Sequence, residues 1–594
     1  MKTYSTLIIL LTASVLMAED WPQWRGPDAD GISKETGLLK QWPEGGPKVV
    51  WEVDTVGVGY SSVSTSRGRL WTQGDLNGVE HTICLDEKTG KLLWAAQPGP
   101  IAEVLREKVE QAMASVDKDG SGQVEELEAI AQFGFEFNQS DPAEDVDRPM
   151  PTASERANRL IKALDQDNSG SLSVDETGRA WSRIYRNMDQ SDPDADREAL
   201  AKKRTEEVLG RYDTNQDGQL TRKEVEHISQ QFNANEMDAE KLEKYYFSQE
   251  RGKDGILTHE EISGYYLETY PGRDGILTMA DTKKAMYQKF GGYRNGMGDG
   301  PRGNASVEGD RVYVEGGNGD LTCLNFEDGK TIWHIAFSEL GGHRPGWGYS
   351  ESPLIEKDML IVTPGGEAGT VAALDKMTGK LIWQSSGTTQ GAHYSTPVAA
   401  NIGGIRQIVQ FGHSSCFGLD AKDGSLLWEY KNANNGTANC STPIVHGDHV
   451  FASSAYGTGG GLARITDGRK ADEVYFEKKM ASHHGGLVKV GAHLYSFGNG
   501  GLICMDYLSG EIAWTDRSVG KGSLIAADGM LYLLSENHEM ALAEARPEAY
   551  REHGRFPVAK RGRPSWAHPV ISNGRLYIRN QDVLTAYDIR AAAE

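Results

Sequence analysis

The stretch CLDEKTGKLLW at residues 84–94 returns as CLNFEDGKTIW at 323–333, ALDKMTGKLIW at 373–383 and GLDAKDGSLLW at 418–428. Each copy reads as the end of one strand, a turn closing on glycine, and a second strand ending in tryptophan. Gly90, Gly329, Gly379 and Gly424, with Gly510 in a fifth copy, stand where a tight hairpin needs positive φ. Upstream lie further runs of aromatic and β-branched residues, among them GRLWTQ (68–73), DRVYVEG (310–316) and MLYLLS (530–535). Each unit thus supplies about four short strands in roughly 40–50 residues, the period and strand count of a propeller blade. The tryptophan gives each blade a large apolar plate to bury against its neighbour.

Counting units predicts eight blades, opening near Ser62, Ser306, Pro353, Pro397, Pro443, Gly486, Ser523 and Pro569. Two units, GLARITDGRKADEVYF (461–476) and ALAEARPEAYREHGRF (541–556), lack the Asp…Gly…Trp pattern, so seven blades remain open if one of them is a loop. The last unit stops at its third strand, LTAYDIR (584–590). Its missing outer strand is supplied by PKVVWEVD (47–54), which closes the ring and removes an exposed edge.

On these repeats the chain resembles the pyrroloquinoline-quinone-like (PQQ-like) repeat propellers, over about 48–94 and 305–590. That family includes quinoprotein dehydrogenases and an outer-membrane assembly lipoprotein. The opening DWPQWRGPDADGIS (20–33) looks like the lead-in of exported bacterial members. The resemblance implies a fold more than a chemistry, because the repeated residues build blades.

Trp333, Trp383 and Trp428 are 50 and 45 residues apart, but Trp94 and Trp333 are 239 apart. The extra sequence is of another kind. Positions 101–290 carry 40 acidic and 25 basic residues, a net −15 of the chain's −23. Within them DKDGSGQVEELE (117–128) fits an EF-hand calcium loop. Its ligands are Asp117, Asp119, Ser121, Gln123, Glu125 and the two-oxygen Glu128, with Gly122 at the sharp turn. DQDNSGSLSVDE (165–176) repeats it with Asp165, Asp167, Ser169, Ser171, Ser173 and Glu176. DTNQDGQLTRKE (213–224) repeats it again with Asp213, Asn215, Asp217, Gln219, Thr221 and Glu224. A hard dication needs six to eight oxygens around one point, and this spacing wraps them. Val124, Leu172 and Leu220 at position 8 are apolar residues able to pair loops through a short β contact. ERGKDGILTHEE (250–261) and YPGRDGILTMAD (270–281) read as decayed copies, structural remnants pairing with the third hand.

The fold class expected is therefore mainly β: an eight-bladed, or seven-bladed, PQQ-like propeller with an α-helical EF-hand insertion between its first and second blades. A leader occupies 1–18, a lead-in 19–47, the closing strand and first blade 48–98, the insertion 101–290 and the other blades 291–594. The leader rests on Lys2, the apolar run from about Leu7 to Leu16 and the small Ala18. Ten to twelve apolar residues are too few to span a bilayer, which takes about twenty, so export with cleavage is expected over a membrane anchor. No later stretch approaches membrane length, and the acidic balance argues against nucleic acid. Of five cysteines, Cys84, Cys323 and Cys504 take the repeat's small buried slot; Cys416 and Cys440 could pair.

The segments preceding the blade-opening strands should converge around one end of the central channel. They bring Arg302, Trp347, Tyr349, Glu351, His393, Tyr394, His483, His484, Lys521, Trp566 and His568 towards one funnel. His393, His483, His484 and His568 could form a transition-metal site. Neighbouring residues on a strand alternate in direction, so at most one of His483 and His484 should face it. Arg302 and Lys521 favour an anionic, ring-bearing small molecule or acidic glycan, and a protein partner stays open. Quinoprotein dehydrogenases resemble one another in a vicinal cysteine pair, and this chain has none, nor a Cys-x-x-Cys-His haem site. The expectation is a calcium-holding binding or scaffold module, periplasmic or secreted. The alternative is a PQQ-dependent alcohol or sugar dehydrogenase, for whose cofactor no residue can be assigned.

Overall fold

The computed structural model describes residues 19–76, 79–97, 300–517, 519–561 and 564–591, with isolated positions between 123 and 278. The leader at 1–18 lies outside the described residues. Two compact units emerge, one joining Met1–Arg106 to Tyr287–Glu594, the other Glu107–Met286.

The first unit is an eight-bladed propeller of antiparallel blades. Blade 1 comprises Ser64–Ser66, Arg69–Leu76, Val79–Asp86 and Leu92–Ala96. Blade 2 runs from Ser306–Glu308 to Thr331–Ala336, blade 3 from Leu354–Glu356 to Leu381–Gln384, and blade 4 from Val398–Ile402 to Leu426–Tyr430. Blade 5 runs from Ile444–His446 to Lys470–Glu477, blade 6 from Leu487–Val490 to Ile512–Asp516, and blade 7 from Gly522–Ala527 to Glu552–Pro557. Both degenerate units form regular hairpins, Gly459–Thr466 with Lys470–Glu477 and Glu539–Glu544 with Glu552–Pro557, so neither is a loop. Blade 8 takes Val570–Ser572, Arg575–Asn580 and Val583–Asp588 from late in the chain and Lys48–Val53 from early in it. Val49 pairs with Tyr587 and Val53 with Leu584, which closes the ring.

The repeated tryptophan and glycine form one device. With φ near +70° at Gly329, Gly379 and Gly424, the turn needs glycine for its backbone. It also needs glycine for space: an added Cβ would lie 2.5, 2.7 and 2.5 Å from the rings of Trp94, Trp333 and Trp383, each on the preceding blade. Each indole N–H then donates to a carbonyl of that same turn, at Phe326 (3.3 Å), Lys376 (3.1 Å) and Ala421 (3.2 Å). Trp51 repeats the device across the seam, over Gly90 and onto Glu87 O at 3.0 Å. Blade 5 lost its tryptophan but kept the contact. Tyr475 covers Gly510, and its hydroxyl donates to Tyr507 O at 2.8 Å.

The lead-in crosses the ring. Trp21, fully buried, donates its backbone N–H to Thr65 Oγ1 of blade 1 (2.9 Å), and Pro22 O accepts the N–H of Val307 of blade 2 (2.8 Å). Trp24 Nε1 donates to Thr442 Oγ1 before blade 5 (3.0 Å), and the buried Arg25 reaches the carbonyls of Gly485 and Leu487 at blade 6. Ile32–Ser33 adds a parallel edge to blade 7 at Ala526 and Ala527. Blades 2 and 6 stand opposite in an eight-membered ring, so a segment touching both must pass over its axis.

All five cysteines are free; Cys416 and Cys440 do not pair. Among the described residues no helix is long and apolar enough to cross a membrane.

In the second unit, helical backbone is described at residues 202, 205, 206, 209 and 210, and two short ladders are present. Leu220 pairs with Leu257, and Val124 with Leu277. These are the eighth positions of the loops at 213, 250, 117 and 270. The stretch at 250–261 thus pairs with the third loop as expected, whereas 270–281 pairs with the first. In the third loop the Asp213 carboxylate accepts the N–H groups of Asp217 (3.2 Å) and Gly218 (2.7 Å), and Gly218 sits at φ +80°. The Asp165 loop and most of the Asp117 loop, including Glu128, fall outside the described residues, as does Glu224.

Candidate functional site

Seven of the eight blades bring the segment before their first strand to a pocket of about 170 Å³. Its wall includes Tyr60 of blade 1, Arg302 of blade 2, Trp347 and Ser350 of blade 3, and Tyr394 and Thr396 of blade 4. Ala438 and Cys440 before blade 5, His483 and His484 before blade 6, and Trp566 and His568 before blade 8 complete it, with Trp24 of the lead-in and Tyr456 of blade 5. Glycine- and proline-rich segments let these side chains leave the strands and meet near the axis.

The rings contact one another in series. Tyr60 lies 4.8 Å from Trp566, Trp566 5.7 Å from His484, His484 4.7 Å from His483, and His483 5.0 Å from Tyr456. Trp24 packs on His568 at 4.6 Å and Trp347 on Tyr394 at 5.4 Å. The Arg302 guanidinium covers the Tyr60 ring at 4.6 Å. Such a wall offers flat faces for stacking and a cation at its edge.

Glu536, in the turn between the second and third strands of blade 7, organises one side. It accepts from His484 Nε2 (2.6 Å) and Trp566 Nε1 (2.8 Å), and Lys521 Nζ stands 3.3 Å away. Burial alone would raise its carboxyl, but the His484 and Trp566 hydrogen bonds and the Lys521 charge outweigh it and hold it near about 2. Burial, with His484 and Lys521 alongside, lowers His483 to about 4, and burial likewise lowers His484. Both imidazoles are neutral at neutral pH. His483 Nδ1 is buried without a hydrogen-bond partner.

Seven of the eleven residues expected at the funnel line this pocket: Arg302, Trp347, Tyr394, His483, His484, Trp566 and His568. Four do not. Tyr349 is buried between blades, its hydroxyl on Pro364 O. His393 stacks on Tyr394, accepts from Asn439 N–H (3.0 Å) and meets His413 at 3.3 Å. Both its nitrogens are occupied, so the four-histidine metal site is not formed. His568 is also engaged, donating through Nε2 to His484 O at 2.7 Å. Lys521 is held at Glu536, outside the lining. His483 and His484 both face the pocket, against expectation, because they lie in a bend before the strand Leu487–Val490 and strand alternation does not govern them. Sequence reasoning passed over Trp24, Tyr60 and Tyr456. Tyr60 lies in GYSS (59–62), just before the first strand of blade 1, and Trp24 in the lead-in motif; Glu536 sits in an unremarkable turn.

The fourth residue, Glu351, is buried behind the wall and receives the Thr363 N–H and Gln410 Nε2 (3.1 Å). Beside it stands Glu315 of blade 2, 1 % exposed, neither oxygen having a donor. Burial, then the charge of Glu351, pushes Glu315 well above the usual carboxyl range. The folded state therefore keeps a proton that the unfolded chain loses above about pH 4.3, and stability falls as pH rises. Glu315→Gln, which cannot lose that proton, is expected to be more stable than wild type, by a margin wider at pH 8 than at pH 5. Denaturation midpoints at the two pH values measure it; an equal margin at both would contradict the assignment.

Residues 280–516 match the PQQ-repeat family model described as outer membrane protein assembly factor BamB. The repeats over that stretch are of the PQQ-like type. The outer membrane protein assembly factor BamB of Moranella endobia (strain PCIT) is 23% identical over 259 residues, 41% of this chain, and the match spans 64% of that relative's length. Among solved structures, BamB from Moraxella catarrhalis is 16% identical, with a TM-score of 0.38, over 49% of this chain and 84% of the other. The quinohemoprotein alcohol dehydrogenase of Comamonas testosteroni is 10% identical, with a TM-score of 0.46, over 97% and 81%.

Proposed function

We propose that this PQQ-like propeller is an exported binding protein that takes an anionic, ring-bearing small molecule or acidic glycan in the axial pocket. The observation that carries the reading is the wall of Trp24, Tyr60, Trp347, Tyr394, Tyr456 and Trp566 with Arg302 at its edge. Stacking supplies about 1–3 kcal/mol per ring face by analogy with bases on aromatic platforms, and the guanidinium selects a carboxylate or similar anion. The reading also includes export, for which the leader-like residues 1–18 are the support. Titration of tryptophan fluorescence with pyrroloquinoline quinone and with an acidic sugar such as glucuronate tests it. Binding of either probe should weaken by about tenfold in Arg302→Ala and Trp566→Ala. Saturable binding unchanged in both variants would place the ligand elsewhere.

The insert is proposed to hold calcium in the loops beginning at Asp117, Asp165 and Asp213. The Asp213 loop supports this through its carboxylate-to-backbone bonds, and the two ladders join loops at position 8. Calorimetry should find about three calcium ions per chain, with Glu128→Gln and Glu224→Gln each weakening one. Calcium removal should unfold the insert while the β signal of the propeller persists. No uptake, or uptake indifferent to both variants, would count against it.

A second reading is favoured by the match to a protein named an assembly factor of outer membrane proteins: the ring serves as a scaffold with protein partners. Co-purification of outer membrane proteins with the intact chain, lost on mutation of a blade surface and not of the pocket, would support it.

A further inference from the structure

We propose that His483, His484 and Glu536 form a binding site for a divalent first-row transition metal on the pocket wall. One ligand atom from each residue lies within 4.8 Å of the others, and this is the one such group among the described residues. Two imidazoles and a carboxylate are the donor set that suits iron(II) and zinc. The local sequence brings it together: a bend before blade 6 points two adjacent imidazoles the same way, and a turn of blade 7 brings the carboxylate across.

Two observations suit a metal better than an ordinary polar contact. His483 Nδ1 is buried with no hydrogen-bond partner, whereas buried polar atoms are nearly always paired. His484 is bonded to the carboxylate at 2.6 Å, and Trp566 braces the same oxygen, so two of the three groups already share a fixed geometry. Bonds of about 2.0–2.2 Å to a metal require ligand atoms about 3.3–3.5 Å apart. The His484 and Glu536 atoms, now 2.6 Å apart, must therefore separate as the ion takes the place of the proton between them, which leaves for solvent or for the other ring nitrogen, while His483 closes in by side-chain rotation. The pocket beyond supplies room for further ligands, so a bound ion would stand where an anionic molecule enters. This deepens the binding proposal by adding an electrophile to it, but it is tested without any organic ligand.

Lys521 is the competitor. Its ammonium stands 3.3 Å from Glu536 on a side chain 44% exposed, free enough to swing out when a dication takes the carboxylate. Removing it should therefore strengthen metal binding, whereas it would weaken binding of an anion.

The experiment uses the full chain without a histidine tag, in excess calcium so that the insert's loops are filled. Cobalt(II) alone is the probe. The expected result is one cobalt per chain with a visible absorption band, displaced by zinc. His483→Ala and Glu536→Gln should each weaken it by about 10–100-fold, and Lys521→Met should tighten it. Circular dichroism confirms that each variant keeps its β signal, and Glu536→Gln preserves the side-chain shape should the histidine variant fail to fold. No stoichiometric uptake of cobalt overturns the proposal. So does uptake that ignores both ligand variants, or that weakens in Lys521→Met. Loss of organic-ligand binding with cobalt binding intact would sink the pocket reading alone.

Discussion

Arg579→Met is expected to lower the stability of the propeller by about 3–5 kcal/mol, the scale on which buried charged networks fail when one member is removed. Arg579 belongs to blade 8 and is 1 % exposed. Its guanidinium reaches the carbonyls of Ser61 (3.0 Å), Gly57 (2.9 Å), Gln73 and its own blade's Gln581 (2.8 Å), and Thr72 Oγ1 at 2.5 Å. All but Gln581 lie on or before blade 1. The seam is thus held by main-chain oxygens converging on one cation, and methionine fills the space without giving any of them a donor. Chemical denaturation of wild type and variant measures the loss. A difference under about 0.5 kcal/mol, the range of neutral surface changes, would show that the seam does not depend on this residue.

Deleting residues 19–54 is expected to have a still larger effect. It removes the outer strand of blade 8, leaving Val583–Asp588 as an open edge. It also removes Trp51 from Gly90 and Trp21 from the core shared by blades 1 and 8. The truncated ring should lose cooperative melting of its β signal and self-associate, as light scattering would register. An unchanged melting temperature would contradict closure by the early strand.

The fold was legible because each copy of the repeat states its own hairpin. Aspartate, a short turn, glycine and tryptophan specify both a local conformation and a contact with the next blade, so sequence period and tertiary contact coincide. The seam was readable for a related reason: a last unit one strand short has to be completed from somewhere. Tyr475 was not recognised, because a tyrosine that replaces both the plate and the donor of tryptophan looks like decay in the one-letter pattern. The site was only half legible. Position before a blade-opening strand predicts convergence on the axis, which served for Arg302, Trp347 and Trp566. It does not say whether a side chain points to the axis or between blades, and that distinction separated Tyr394 from His393. Glu536 and Trp24 arrive from a mid-blade turn and from the lead-in, where no repeat marks the place.

The pairing of Lys48 with Asp588 joins residues 540 positions apart, and this fixes an order of events as well as a shape. Contacts so distant in sequence are slow to form, since the intervening chain must first be organised. During synthesis Lys48–Val53 is among the first strands made and the last that can find its partner. For that interval it is a bare β edge beside the exposed rings of Trp21 and Trp51. A chaperone that covers residues 19–54 until the final hairpin appears is therefore expected to raise the yield of folding. The yield of refolding should be limited by concentration at this step and not by the formation of individual blades.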